Sequence, residues 1–466
     1  MVSASVSNNS GRYGTATLSS EDQALLAQPL TLPFSGKVIK NRFCKAALSE
    51  SLGRSDGHID KEVLDRHVHL YDAWARGGSG LILTGNVMVD RTMREMEHNV
   101  AVEDLAELDH LKVWAQTVQK QGAALYAQIN HPGRQTYACL TPAPVAPSAV
   151  PVSNFPSFIA INPPRELSNA EVKGLVKSFV QTSVVLYKAG FDGVELHAAH
   201  GFLISQFLNP RTNQRTDEYG STPENRSRFL SEIVQGIKAA TPKTFSIGVK
   251  VNSVDFGRQR KTQDGNGGME KDLEEGVKVA VMLEQLGVDF IEVSGGCYES
   301  FAAGLMEGKG IPDDLDNLDG VQKTSTQKRE AHFALFAERI SSALSTTKII
   351  LTGGFVSATA MADSLKTTTA VAQKPHIDMV GLGRSVCTEP DLPNRILSGS
   401  VTGATRLPWL PGGYFSEVYM CGGNMRRMAY QKEPLSYLPW LFLSPDHAAY
   451  GMTYGRVITH KLMHPF

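Results

Sequence analysis

The sequence predicts an α/β fold, a (β/α)8 TIM barrel with a long loop after strand 3 and a C-terminal extension. Three observations predict it. Eight short apolar runs, at residues 42–48, 80–83, 123–129, 193–196, 245–251, 289–293, 348–351 and 377–380, each give way to Gly, Ser, Thr, Asn or His. Such near-continuous apolar character suits parallel strands buried on both faces. Helical-period segments separate most of the runs, which fits a closed barrel better than an open sheet. Finally, 466 residues with 42% hydrophobic content can bury a large core and still carry additions.

Taken in order, residues 1–20 are rich in Ser, Asn, Gly and Thr and lack a basic segment followed by an apolar one. They predict a disordered tail rather than a signal peptide. We place that tail at residues 1–26, a ligand-binding barrel at 27–399, and the extension at 400–466. Ser168-Asn169-Ala170-Glu171 is a capping box, followed by Val172, Leu175, Val176, Phe179 and Val180 at helical spacing and a glycine stop at Gly190. Thr222-Pro223 supplies an N-cap and a first-turn proline for a helix through Phe229 and Ile233. Residues 133–164 hold seven prolines and follow strand 3 at its C-terminal end, the position of a lid. Residues 400–466 carry Trp409, Trp440 and many tyrosines. So aromatic a segment is expected to pack on the barrel or, in a homodimer, on a second copy.

A formal net charge of −1 gives no pull towards nucleic acid or acidic membranes. No window of about 18 apolar residues predicts a membrane span. Cys44, Cys139, Cys297, Cys387 and Cys421 form no CxxC pair, which argues against a disulfide framework or a zinc knuckle and for a cytoplasmic setting.

His197 and His200 follow the fourth run at the C-terminal mouth, where barrels keep their chemistry. Two imidazoles there can aim N–H donors at one oxygen, or lone pairs at one metal ion. The other strand ends offer Ser49, Asn86, Gln128, Lys250, Ser294 and Thr352, a poor metal set with a cation in it. No metal is expected, while two structurally satisfied histidines remain an alternative. Gly353-Gly354 and Gly383-Arg384 end runs seven and eight, where barrels bind phosphate through backbone N–H groups. Gln128 can read a ring with donor and acceptor edges, and Lys250, inside an apolar run, needs an anionic partner.

Asn41-Arg42-Phe43, Ala46-Ala47-Leu48-Ser49, Gln128, His131-Pro132-Gly133-Arg134, residues 190–228 and Gly381-Leu382-Gly383-Arg384 together resemble the Old Yellow Enzyme family. The resemblance runs in order from about residue 27 to 398 and is closest to the thermophilic-like, fungal branch, which has His-x-x-His. It implies non-covalent FMN reduced by NAD(P)H, and hydride transfer to an activated alkene, a small molecule. It implies that His197 and His200 bind the substrate's oxygen. Ala46, Ala47, Ser49, Asn86, Gln128, Lys250, Gly353, Gly354, Gly383 and Arg384 would hold the cofactor. Phe202 departs from the family, which has a proton-donating Tyr there, and phenylalanine has no proton to give. Tyr298 is the speculative replacement. Phe202 also keeps two rivals open: another redox or isomerisation step in a biosynthetic pathway, or a flavin-binding protein without catalysis.

Overall fold

The computed structural model describes residues 11–14, 16–153, 160–253, 267–299, 333–367, 376–406, 414–432 and 434. Eight parallel strands form its centre: β1 (Phe43–Lys45), β2 (Leu81–Met88), β3 (Ala124–Asn130), β4 (Gly193–Ala198), β5 (Ser246–Asn252), β6 (Phe290–Ser294), β7 (Lys348–Thr352) and β8 (Met379–Leu382). Each pairs with the next, and β8 pairs with β1, so the sheet closes on itself as predicted.

Alternation along each strand sorts the core into two parts. Leu81, Leu83, Tyr126, Phe290, Ile350 and Met379 fill the barrel, while Ile82, Leu125, Val194 and Ile291 face the helices. Two glycines make room for the interior aromatics. A Cβ on Gly248 would lie 2.1 Å from the Phe290 ring, and one on Gly193 would lie 2.4 Å from Tyr126. An antiparallel pair, Leu30–Thr31 with Val38–Ile39, plugs the N-terminal end, adding Leu30, Leu32 and Ile39 to the interior cluster.

The surrounding helices include α1 (Ser20–Ala27), α2 (Lys61–Arg76), α3 (Leu108–Gln119), α4 (Asn169–Lys188), α5 (Leu203–Leu208), α6 (Pro223–Ala240), α7 (Gly267–Gln285), α8 (Ala334–Ala343), α9 (Ala358–Lys366), α10 (Arg384–Thr388), α11 (Leu392–Leu397) and α12 (Tyr414–Ala429). The capping box at Ser168 and Glu171 forms with both reciprocal bonds, and Thr222 caps α6 ahead of Pro223.

The expectation for residues 1–26 needs correction from residue 11 onward, residue 15 excepted. Ser19 caps α1, Leu26 is fully buried, and Arg12 donates to Glu389 Oε1 at 2.5 Å and to Gly403 O at 2.8 Å. A polar composition hid these anchors, because a few scattered side chains, Arg12, Leu18, Asp22 and Leu26 among them, hold the segment down. In the extension, α12 lies on α2, with Cys421, Met425 and Met428 in the outer core and His69 Nδ1 donating to Ala429 O at 3.2 Å. Residues 407–413, 433 and 435–466, with Trp409 and Trp440, lie outside the described residues, as do 154–159 of the loop after β3. Among the described residues no helix is long and apolar enough to cross a membrane.

Candidate active site at the barrel mouth

His197 is the penultimate residue of β4, level with Lys250 on β5. The chain then bends sharply. His200 takes φ +57° and Gly201 φ +75°, left-handed conformations that turn the His200 ring back onto His197. Two bonds hold the bend: His200 N donates to Asn252 Oδ1 at 2.7 Å, and Gln135 Nε2 donates to His200 O at 2.7 Å. A Cβ on Gly201 would sit 2.4 Å from Gln135 Oε1, so glycine is required there.

The two imidazoles address each other rather than a common point in the mouth. His197 Nε2 is 2.9 Å from His200 Nδ1, His197 Nδ1 is 2.9 Å from Asn86 Oδ1, and His200 Nε2 is 3.0 Å from Ser294 Oγ. All four ring nitrogens are engaged. Burial, then the charges of His200 and Lys250, pushes His197 well below its usual pKa. Burial and Lys250 bring His200 down to about 3, against a smaller opposing pull from Glu292. Both rings are therefore neutral, with one N–H each. The sequence reading has both rings meet one substrate oxygen; within the chain each ring meets the other and one polar neighbour, Asn86 or Ser294.

Beneath them lies a charged floor. Lys250, 2% exposed, pairs with fully buried Glu292 at 2.9 Å, and Gln128 Nε2 donates to Glu195 Oε2 at 2.6 Å. Burial alone would lower the Lys250 pKa, but Glu292 and Glu195 together raise it. Burial and the neighbouring Glu292 push Glu195 well above the ordinary carboxyl range; burial pushes Glu292 up as well, but the charge of Lys250 and hydrogen bonds from Glu195, Thr352 and Lys250 together bring it down. The two carboxyls of the floor are thus pushed in opposite directions beside a lysine whose charge they favour. The anionic partner that Lys250 needs comes from β6 of its own chain.

The rim brings the predicted cofactor residues together. Thr352 pairs with Gly381, setting the Gly353-Gly354 and Gly383-Arg384 loops side by side, with Gly354 at φ +76°. Ala46 N donates to Leu382 O at 2.9 Å, which joins the Ala46-Ala47 turn to the same edge. Ala47, Ser49, Gly353, Gly354, Gly383 and Arg384 are all half-buried, so this edge is open to a ligand. Above, Phe202 is 3% exposed with its ring 4.7 Å from His197 and 6.3 Å from Tyr298, and Tyr298 stacks on Tyr137 at 6.2 Å.

Sequence reading missed Glu95. Its carboxylate accepts from Ser49 Oγ at 3.1 Å and from Asn86 Nδ2, reaching the site from a turn with no apolar or motif signal. It also missed Glu195 and Glu292, although a carboxylate inside Val194-Glu195-Leu196 or Ile291-Glu292-Val293 is a visible oddity. Among the described residues no three His, Cys, Asp or Glu side chains converge to hold a metal ion.

Residues 26–402 match the model of the NADH:flavin oxidoreductase / NADH oxidase family. A NADH-dependent flavin oxidoreductase of Aspergillus parasiticus is 35% identical over 393 residues, 82% of this chain and 81% of the relative. Another, from Hypocrea jecorina, is 32% identical and covers 79% of this chain and 88% of its own. Morphinone reductase in complex with tetrahydroNAD shares the fold with TM-score 0.60 at 23% identity, over 84% of this chain and 98% of that one. The Old Yellow Enzyme homologue of Zymomonas mobilis does so with TM-score 0.61 at 21% identity, over the same shares. With its closed barrel and this match over most of its length, the chain belongs to the NADH:flavin oxidoreductase family of Old Yellow Enzyme type, flavoproteins that use FMN with NAD(P)H as reductant.

Proposed function

We propose that this oxidoreductase reduces the C=C bond of activated alkenes, α,β-unsaturated carbonyl or nitro compounds. The observation that carries the reading is the His197–His200 pair at the mouth, backed by Phe202 and overhung by Tyr298. The donor set suits FMN. Glycine-bordered backbone at Gly353, Gly354 and Gly383, beside Arg384, is chemistry for a phosphate dianion. Ala46, Ala47, Ser49 and Asn86 continue that edge towards the histidines, and Gln128 and Lys250 lie in the floor, each with hydrogen-bonding capacity beyond its acidic partner. When bound, FMN supplies the redox chemistry, taking hydride from NAD(P)H and giving it to the alkene's β-carbon.

The chain's own residues supply the rest. His200 Nδ1–H, once it leaves His197, donates to the acceptor's oxygen and stabilises the negative charge that grows there. Lys250 adds positive potential from below. Phe202 excludes water next to His197 but cannot protonate the α-carbon, so Tyr298 is the proposed acid. The reading extends to a cytoplasmic enzyme whose residues 400–466 pack on the barrel or on a second copy.

An anaerobic NADPH and NADH titration, followed by a panel of cyclic enones and nitroalkenes, tests the proposal. Bleaching by nicotinamide and recovery with enone are expected. Phe202 favours a second reading, oxidation or isomerisation in a biosynthetic pathway, which gains if nicotinamide bleaches the protein and no alkene restores the colour. Bound FMN that no nicotinamide reduces would point to a non-catalytic flavin-binding protein.

A further inference from the structure

Over the mouth the described residues gather a third apolar cluster, apart from the barrel interior and from the layer under the helices. Three segments build it: Met96 from the turn after β2, Tyr137, Cys139, Leu140 and Ile161 from the loop after β3, and Tyr298 from beyond β6. Backbone and side-chain bonds hold these segments at the cluster's border. Thr136 Oγ1 donates to Arg94 O at 2.7 Å, Ala138 N to Ala160 O at 2.9 Å, and Tyr298 N to Gln135 Oε1 at 3.3 Å. Met96 and Tyr137 are buried, while Cys139, Leu140, Ile161 and Tyr298 are only half-buried. Packing of the cover explains the buried pair. It does not explain four neighbouring apolar side chains left half open beside the site, which is the mark of a binding surface. The ion pair of the same cover, Arg134 with Glu299, is closed on itself.

A run of rings joins this apolar face to the histidines. Phe202 lies 4.7 Å from His197 and 6.3 Å from Tyr298, and Tyr298 stacks on Tyr137 at 6.2 Å with the planes 24° apart. Those separations are the ones at which aromatic rings attract each other. The near-parallel tyrosines offer a flat π face, which receives a flat ring better than a puckered one. We infer that the preferred substrate is an uncharged activated alkene with a planar aromatic substituent, its oxygen at the histidines and its ring against Tyr298, Leu140 and Ile161. Tyr137 is the positioning residue, fixing the plane of Tyr298 from the buried side. The inference rests on the proposed alkene reduction at the same site.

The test uses the FMN-loaded, oxidised protein and three saturated ketones that it cannot reduce: 4-phenylbutan-2-one, 4-cyclohexylbutan-2-one and pentan-2-one. Binding is read from the change in flavin absorbance. The phenyl ketone is expected to bind about tenfold or more tighter than pentan-2-one, from the apolar area its ring buries. It is also expected to bind about threefold tighter than the cyclohexyl ketone, although apolar area alone favours the latter. Tyr137→Phe should keep that ratio, and Tyr137→Leu should bring it to about one or below while pentan-2-one binding changes less than about twofold. Cyclohexyl binding equal to or tighter than phenyl binding in the unmutated protein overturns the inference, and that result depends on no variant folding. A ratio unchanged in FMN-loaded Tyr137→Leu overturns the role of Tyr137. If enones are reduced and the ring preference is absent, only this inference falls. If the preference holds and no alkene is reduced, the aromatic subsite stands and the proposed reaction falls.

Discussion

Arg134 and Glu299 form a salt bridge at 2.8 Å that joins the loop after β3 to the segment just beyond β6. Arg134, 3% exposed, also donates to Val150 O and Pro151 O, while Glu299 accepts from Ser153 N and Oγ. One guanidinium thus gathers three points of the cover. Arg134→Ala should leave Glu299 without its cation, at a cost of about 3–5 kcal/mol to the closed cover. The expected signs are faster proteolytic cleavage within residues 133–164 and about a tenfold higher KM, with FMN retained. Unchanged cleavage would show that the apolar contacts of the loop suffice.

The floor predicts a variant whose damage depends on pH. Lys250→Met leaves two facing carboxyls with no cation and should cost about 3–5 kcal/mol in chemical denaturation at neutral pH. Acidification should recover part of the loss, because protonating Glu292 removes the uncompensated charge. The double variant Lys250→Met with Glu292→Gln should recover most of it at neutral pH. A single variant as stable as the parent would mean that water reaches the floor.

Buried imidazoles set the acid limit. Burial holds His131 down at about 4 and His200 at about 3, and also lowers His197 and His67. Unfolded histidines titrate near 6.5, so from about pH 6.5 downward the unfolded chain gains protons that the folded one refuses. Stability is complete above that value and drains as pH falls towards 4. Glu195 and Glu95, whose pKa values are raised, act in the opposite sense, but they are two groups against four. Urea midpoints between pH 7.5 and 5 should therefore fall, by on the order of 1 kcal/mol per pH unit for each unopposed histidine. His197→Asn with His200→Asn should flatten the slope; an equal slope would place the titration elsewhere.

Proton delivery can be separated from hydride delivery. Tyr298→Phe should slow reoxidation by an enone about 10²-fold while leaving reduction by NAD(P)H unchanged. Phe202→Tyr in that background should restore much of the rate, since its ring lies 4.7 Å from His197. If Tyr298→Phe leaves reoxidation untouched, the proton comes from water.

The barrel was legible because its signal is redundant: eight apolar runs, each with a polar stop, and glycines where helices end. Strand limits were less so. The second run reads as ending at Leu83, yet β2 continues to Met88, because Thr84 and Asn86 are strand residues that find partners in the mouth. Residue types at the site were also legible, since histidines, glycine pairs and Arg384 each sit at a strand end. Their partners were not. His197 meets Asn86, and Asn86 meets Glu95, yet no spacing in the sequence links those positions. Lys250 announced that it needed an anion, but two strands had to be set in register before Glu292 became that anion.

Gln135 accepts from Tyr298 N through its side-chain oxygen at 3.3 Å and gives its amide proton to the carbonyl of His200. Tyr298 is also the chain neighbour of Glu299, the far end of the clamp. Tyr298 and the backbone behind the His200 imidazole are thus tied through Gln135 to the segment that holds the clamp. A variant that loosens the Arg134–Glu299 bridge is therefore expected to disturb Tyr298 and the His200 backbone together, rather than the cover alone.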